Sequence, residues 1–203
     1  DYFATQNRAV TQIDYESLVY SMPQKFGSVK RCRVSRDPDS LRRNLNLYVI
    51  AEASNGKLAT ANNTIKENIK TWLNRYKMVS DTIDILDAKI VNIGIDFDVI
   101  ASEDADRFQL LSDCVSSIKR LYSVGQHIGE PIYITDILST LNKVDGVVDA
   151  KRVEITRKIG PSYSSTRFDL EEALSADGRY LSVPKNVILE IKFPDSDIKG
   201  TIS

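Results

Sequence analysis

From Lys89 to Ile100 apolar and polar side chains alternate. Ile93, Ile95, Phe97 and Val99 fall on one side; Asn92, Gly94, Asp96 and Asp98 fall on the other. A period of two over this length predicts a β-strand with one buried and one wet face. Such a strand needs paired neighbours and an apolar layer over its buried side before it is stable. The chain is therefore built around a sheet, and its other segments have to supply the partners and the cover.

Helical spacing supplies the cover. Leu58 to Lys77 carries Ile65, Ile69, Trp72, Leu73 and Tyr76 at helical intervals, with an N-cap within Asn62–Thr64. A second helix runs to about Tyr122, capped by Ser102 or Asp104, with Phe108, Leu111, Val115, Ile118 and Tyr122 inward. A short third helix spans Ile134 to Leu141. An entry helix over 11–22 opens with Thr11 and Asp14 in the spacing of a capping motif, and Pro23 ends it. Further strands are predicted at Ser28–Arg36, Leu45–Ala53, Asp81–Leu86, Val147–Ile155 and Val187–Phe193, the first two as an antiparallel pair with a long connection. Pro194 to Ser203 reads as an extended tail.

The expected fold class is α+β: a mixed or antiparallel sheet of about four strands, helices on one face, plus a C-terminal arm or small satellite region. The expected organisation is an entry segment over 1–27, an α+β body over 28–157 and a C-terminal arm or small β region over 158–203. There is no internal repeat.

Composition removes several function classes. The 203 residues hold 27 Lys+Arg, 28 Asp+Glu, one His and two Cys, for a net charge of −1. Near-neutrality gives no global pull toward a polyanion. His127 with Cys32 and Cys114 cannot complete a Cys/His zinc site, and two distant cysteines are no disulfide framework. No run of 18 apolar residues spans a membrane. There is no G-x-x-x-x-G-K-[ST], G-x-G-x-x-G or G-x-S-x-G.

Three local clusters bear chemistry. Lys30, Arg31, Arg33, Arg36, Arg42 and Arg43 form either a phosphate-binding stripe or an edge strand blunted by charge. Between Asp81 and Asp113 lie Asp81, Asp84, Asp87, Asp96, Asp98, Glu103, Asp104, Asp106 and Asp113. Asp96 and Asp98 point the same way from one strand, as a divalent-cation pair or an acid/base pair would, or as the wet face of an amphipathic strand would. His127 sits in a loop between Gly125 and Gly129 with no nucleophile nearby in sequence. In each cluster the structural reading outweighs the chemical one. No residue is assigned a catalytic, cofactor-binding or metal-ligating role, and the chain is read as a non-enzyme that takes no cofactor. Tyrosines spread along the chain, from Tyr15 to Tyr180, suit interfaces as well as partial cores.

Three segments then combine in a known order. The first is Asn7-Arg8-Ala9-Val10-Thr11-Gln12-Ile13-Asp14-Tyr15-Glu16 and onward to Val19. The second is the Ile65–Tyr76 helix followed by the Ile90–Ile100 strand. The third is Ile128-Gly129-Glu130-Pro131-Ile132-Tyr133-Ile134 through Leu138, then Val144-Asp145-Gly146-Val147-Val148-Asp149. Together they resemble the baseplate J-like family of contractile-tailed phages and related injection machines. The segment from Ala176-Asp177-Gly178-Arg179-Tyr180 through Gly200 looks like the C-terminal end of the large baseplate wedge proteins of T-even-type phages.

The resemblance implies a structural role: a homodimer that also contacts other baseplate wedge proteins, in rings around the tail hub. It implies a virion location in the tail baseplate, assembly in the host cytoplasm, and no nucleic acid, membrane or small-molecule substrate as partner. It also implies that Asp1, standing where a Met would start a chain, follows a part several hundred residues long. Two other classes remain: a small-molecule-binding α+β regulatory domain, and a nucleic-acid module using the basic cluster.

Overall fold

A computed structural model describes residues 8–37 and 44–203. Two compact units emerge, Asp1–Lys89 and Ile90–Ser203, each with its own apolar cluster. The α+β class and the four-stranded sheets are as expected. The chain divides inside the expected 28–157 body because its strands recruit partners in two groups. The strand after Asp81 joins the first sheet, whereas the long alternating strand gathers its neighbours from the C-terminal half.

In the first unit, β1 (Arg31–Arg36) and β2 (Asn44–Glu52) form the predicted antiparallel pair, with Arg33 opposite Tyr48. β3 (Leu58–Ala59) adds a short antiparallel contact to β2, and β4 (Thr82–Asp87) runs parallel to it. Cys32, Val34, Leu45, Leu47, Val49 and Ile83 share the inner face. Over them lie α1 (Gln12–Tyr20) through Tyr15 and Val19, and α2 (Asn63–Leu73) through Ile69 and Leu73.

Asp14 does complete a capping box. Its carboxylate accepts from the Thr11 N–H at 2.8 Å, while Thr11 Oγ1 accepts from the Asp14 N–H. Ile13 is 72% exposed, because Tyr15, Val19 and Met22 set the inward phase. The helix expected over 58–77 is shorter: Leu58–Ala59 pairs with β2, Asn62 caps Ile65, and Asn74 ends the helix.

In the second unit, β5 (Lys89–Ala101) is the central strand. It pairs antiparallel with β7 (Val147–Arg157) and parallel with β10 (Ile198–Ile202), and β9 (Val187–Glu190) also joins it. Val91, Ile93, Ile95, Phe97 and Val99 face the core. α3 (Arg107–Leu121) covers them with Leu110, Cys114 and Ile118, and α4 (Ile134–Leu141) with Ile137 and Leu141.

Of the residues predicted inward on α3, Leu111, Val115, Ile118 and Tyr122 pack on the core and Phe108 does not. Asp106, not Ser102 or Asp104, caps the helix, and Phe108 is 89% exposed. α4 begins at Ile134 with no side-chain cap.

Residues 158–203 stay with this unit. β8 (Tyr180–Leu181) pairs with β6 (Ile132–Tyr133), and α5 (Leu170–Ala173) precedes it. The expected tail is a one-turn helix, α6 (Pro194–Asp197), followed by β10. The return of β10 depends on Gly200, opposite Phe97. A Cβ at Gly200 would lie 2.3 Å from the Phe97 ring, so only a glycine lets the strand approach so closely.

Candidate interaction surfaces

Among the described residues the basic cluster does not form a free cationic stripe. Lys30 is held by Glu52 at 2.8 Å, and the Arg31 guanidinium donates to the Lys30 carbonyl. Arg33 is half-buried and Arg36 is exposed. Arg42 and Arg43 lie outside the described residues.

β1 is an edge strand, but its outer edge is sealed. The Tyr20 hydroxyl accepts from the Cys32 N–H at 3.0 Å, and Glu16 Oε1 accepts from the Val34 N–H at 2.8 Å. Glu16 and Tyr20 lie four apart on α1, one turn of helix, matching alternate N–H groups on the strand. The sequence shows both the charged strand and the entry helix, but not that the helix closes the strand's edge. The i, i+4 spacing of Glu16 and Tyr20 on the helix was the available signal.

The nine carboxylates scatter into separate structural tasks. Asp81 is buried and accepts from the Tyr15 hydroxyl at 2.6 Å. Asp84 accepts from Asn44, Asp87 from Lys66, and Asp113 from Gln109. Asp106 caps α3, and Glu103 and Asp104 are exposed.

Asp96 and Asp98 do share the outer face of β5. In register, Asp96 lies between Lys199 and Glu154, and Asp98 between Thr201 and Arg152. Each has one buried carboxylate oxygen without a hydrogen-bond partner. Among the described residues no group of three or more His, Cys, Asp or Glu side chains is placed to hold a metal ion.

His127 is exposed, and its backbone N–H donates to Glu130 Oε2 in a loop turn. Both cysteines are buried. Burial pushes the Cys32 thiol up to about 12 and the Cys114 thiol up to about 11, so neither is a ready thiolate at neutral pH. Tyr15 and Tyr163 are tied to Asp81 and Asp197, whereas Tyr133 and Tyr180 pair at 6.0 Å on the small β6–β8 sheet and stay half-exposed. An open groove of about 860 Å³ lies beside the end of β7, lined by Arg157, Ile159, Arg167, Phe168 and Leu170. No helix among the described residues is long and apolar enough to cross a membrane.

β7 is the terminal strand of its sheet. The Lys158 N–H donates to the Asn92 carbonyl, which fixes the ladder's phase: the N–H groups of Glu154 and Thr156 face β5, and those of Val153 and Ile155 point outward. Asn142 takes the Ala150 N–H, and Arg157 donates across to the Thr166 carbonyl, so both ends of β7 are engaged. Between them, Arg152 Nη1 and Glu154 Oε2 form an ion pair within the chain at 3.3 Å, with side chains 68% and 56% exposed.

No protein-family model matches this chain, and no curated protein matches it. Its fold is similar to that of a chain in a solved structure described as the cryo-EM structure of the anti-feeding prophage (AFP) baseplate, 6-fold symmetrised. The likeness has a TM-score of 0.54 at 12% sequence identity and covers 92% of this chain and 38% of that one. This chain therefore spans well under half the length of that neighbour. At such identity the likeness establishes a shared fold, and it takes in both units.

Proposed function

We propose that this chain is a structural subunit of a phage-type tail baseplate, a wedge component that works by self-association and by contacts with other wedge proteins to build the baseplate ring. The observation that carries the reading is the fold likeness to a chain of a baseplate assembly across 92% of the residues. The ordered segments that resemble the baseplate J-like family support it independently. So does the surface: Phe108, Ile13 and the Tyr133–Tyr180 pair are apolar groups in water, of the kinds enriched where proteins meet. The reading places the chain in the virion tail after assembly in the host cytoplasm, and it assigns no catalytic residue.

Co-expression with the tail proteins encoded beside it tests the reading. A tagged chain that brings those proteins with it through size exclusion, in fixed ratio, supports a wedge component. A chain that elutes alone from every combination contradicts it.

A further inference from the structure

We infer that the outer edge of β7 is a self-pairing surface, at which a second copy of this chain docks its own β7 antiparallel about a two-fold axis centred on Val153. This rests on the self-association proposed above and names the strand that carries it. An unpaired strand edge is a template for another strand. Val153 and Ile155 hold outward N–H and C=O groups, and among the described residues β7 has no sheet partner on that side.

Charge selects the occupant. With Val153 opposite its counterpart, Arg152 of each copy faces Glu154 of the other, on the same face of the extended sheet. The contact is therefore complementary to itself, as a two-fold interface requires. It also answers a local conflict. Within one chain Glu154 lies directly across from Asp96, a like-charge pair that destabilises a sheet. Glu154 already has its own chain's Arg152 at 3.3 Å, and the arriving Arg152 adds a second cation on its other flank.

The two edges of the first sheet do not match this. β1 is closed by α1. β4 carries Asp84 and Asp87, so two copies meeting there would bring carboxylates together. The β7 window is short. It ends at the Arg157–Thr166 bond on one side and at the bulge beside Asp98 and Val99 on the other, so the strand contact nucleates a larger interface instead of forming one alone.

Sedimentation equilibrium of the full chain tests the assignment. Arg152→Glu and Glu154→Arg each create like-charge contacts across the axis, and each raises the dimer dissociation constant roughly tenfold or more. An equimolar mixture of the two variants restores the wild-type affinity, because each then faces its opposite charge. Both side chains are exposed, so the fold survives the change. Val153→Pro deletes an outward N–H that the ladder to β5 does not use, trims a side chain packed on the core, and weakens the dimer as well. A wild-type dimer that neither charge variant weakens overturns the β7 assignment and leaves self-association standing. A wild-type chain that stays monomeric at all concentrations overturns both.

Discussion

The two units solve the same problem differently at one edge. Each has a four-stranded sheet with two helices on its inner face. In the first, α1 lends Tyr20 and Glu16 to the outer N–H groups of β1, so the edge is satisfied within the chain. In the second, α3 and α4 spend their side chains on the core and α4's end, and among the described residues no strand pairs with the outward groups of Val153 and Ile155. An edge is thus defined by which helix lies beside it and in what phase. Charge on the strand alone does not define it, since both β1 and β7 are charged.

The comparison breaks most easily at the cores. Leu47→Ala in the first unit and Ile95→Ala in the second each remove a fully buried side chain and should cost about 2–5 kcal/mol. Trp72, the sole tryptophan, lies in the first unit, so its fluorescence reports that unit's unfolding. Leu47→Ala should lower that transition more than Ile95→Ala does; equal shifts would show that the two clusters unfold as one.

A smaller effect is expected at the buried Tyr15–Asp81 bond. Tyr15→Phe leaves the Asp81 carboxylate short of a donor and should cost about 2–3 kcal/mol in urea unfolding. A loss under half a kcal/mol would mean that Asp81's other contacts suffice.

Glu16→Ala sharpens the contrast between edges directly. It leaves the Val34 N–H unsatisfied, at about 1–2 kcal/mol, and opens the β1 edge. Light scattering should show self-association that the parent lacks at that edge and that Arg152→Glu does not suppress. No change in scattering would mean that the helix backbone, not the carboxylate, guards β1.

The smallest effect is a pH dependence at the start of α1. The Thr11 N–H, then the Val10 N–H, hold the exposed Asp14 carboxyl below its ordinary 3.8. A lowered folded value means that the unfolded chain binds the proton first as pH falls. The contribution is therefore full above the ordinary carboxylate range and fades as pH drops through the folded value. Asp14→Asn should flatten acid unfolding slightly; an unchanged acid limb would discount the box.

Much of this was legible in the sequence. The alternation Ile93-Ile95-Phe97-Val99 names its own buried face, and the β1–β2 pairing, the Asn62 cap and the rough positions of α2 to α4 follow from periodicity and turn signals. The division into two units was not legible, because nothing local to Thr82–Asp87 says that it pairs parallel with β2 instead of lying beside Lys89–Ala101. The place of 198–202 was hidden for the same reason: the residue that admits it, Gly200, matters only against Phe97, which lies a hundred positions away. In α3 the inward places of Leu111, Val115, Ile118 and Tyr122 follow from the periodicity, whereas Phe108, in the first turn after the Asp106 cap, turns outward. The candidate surfaces were least legible. Which N–H groups of β1 and β7 point outward depends on register with a partner strand, and a lone strand does not carry that information.

The central claim is that this chain is a built part of a tail. Quantitative mass spectrometry of purified particles, with baseplates separated from tail tubes, tests it most directly. The account predicts peptides from both units in the baseplate fraction, at a fixed whole-number ratio to the other baseplate proteins. Their absence from particles, with the chain found only in the cell lysate, would contradict it.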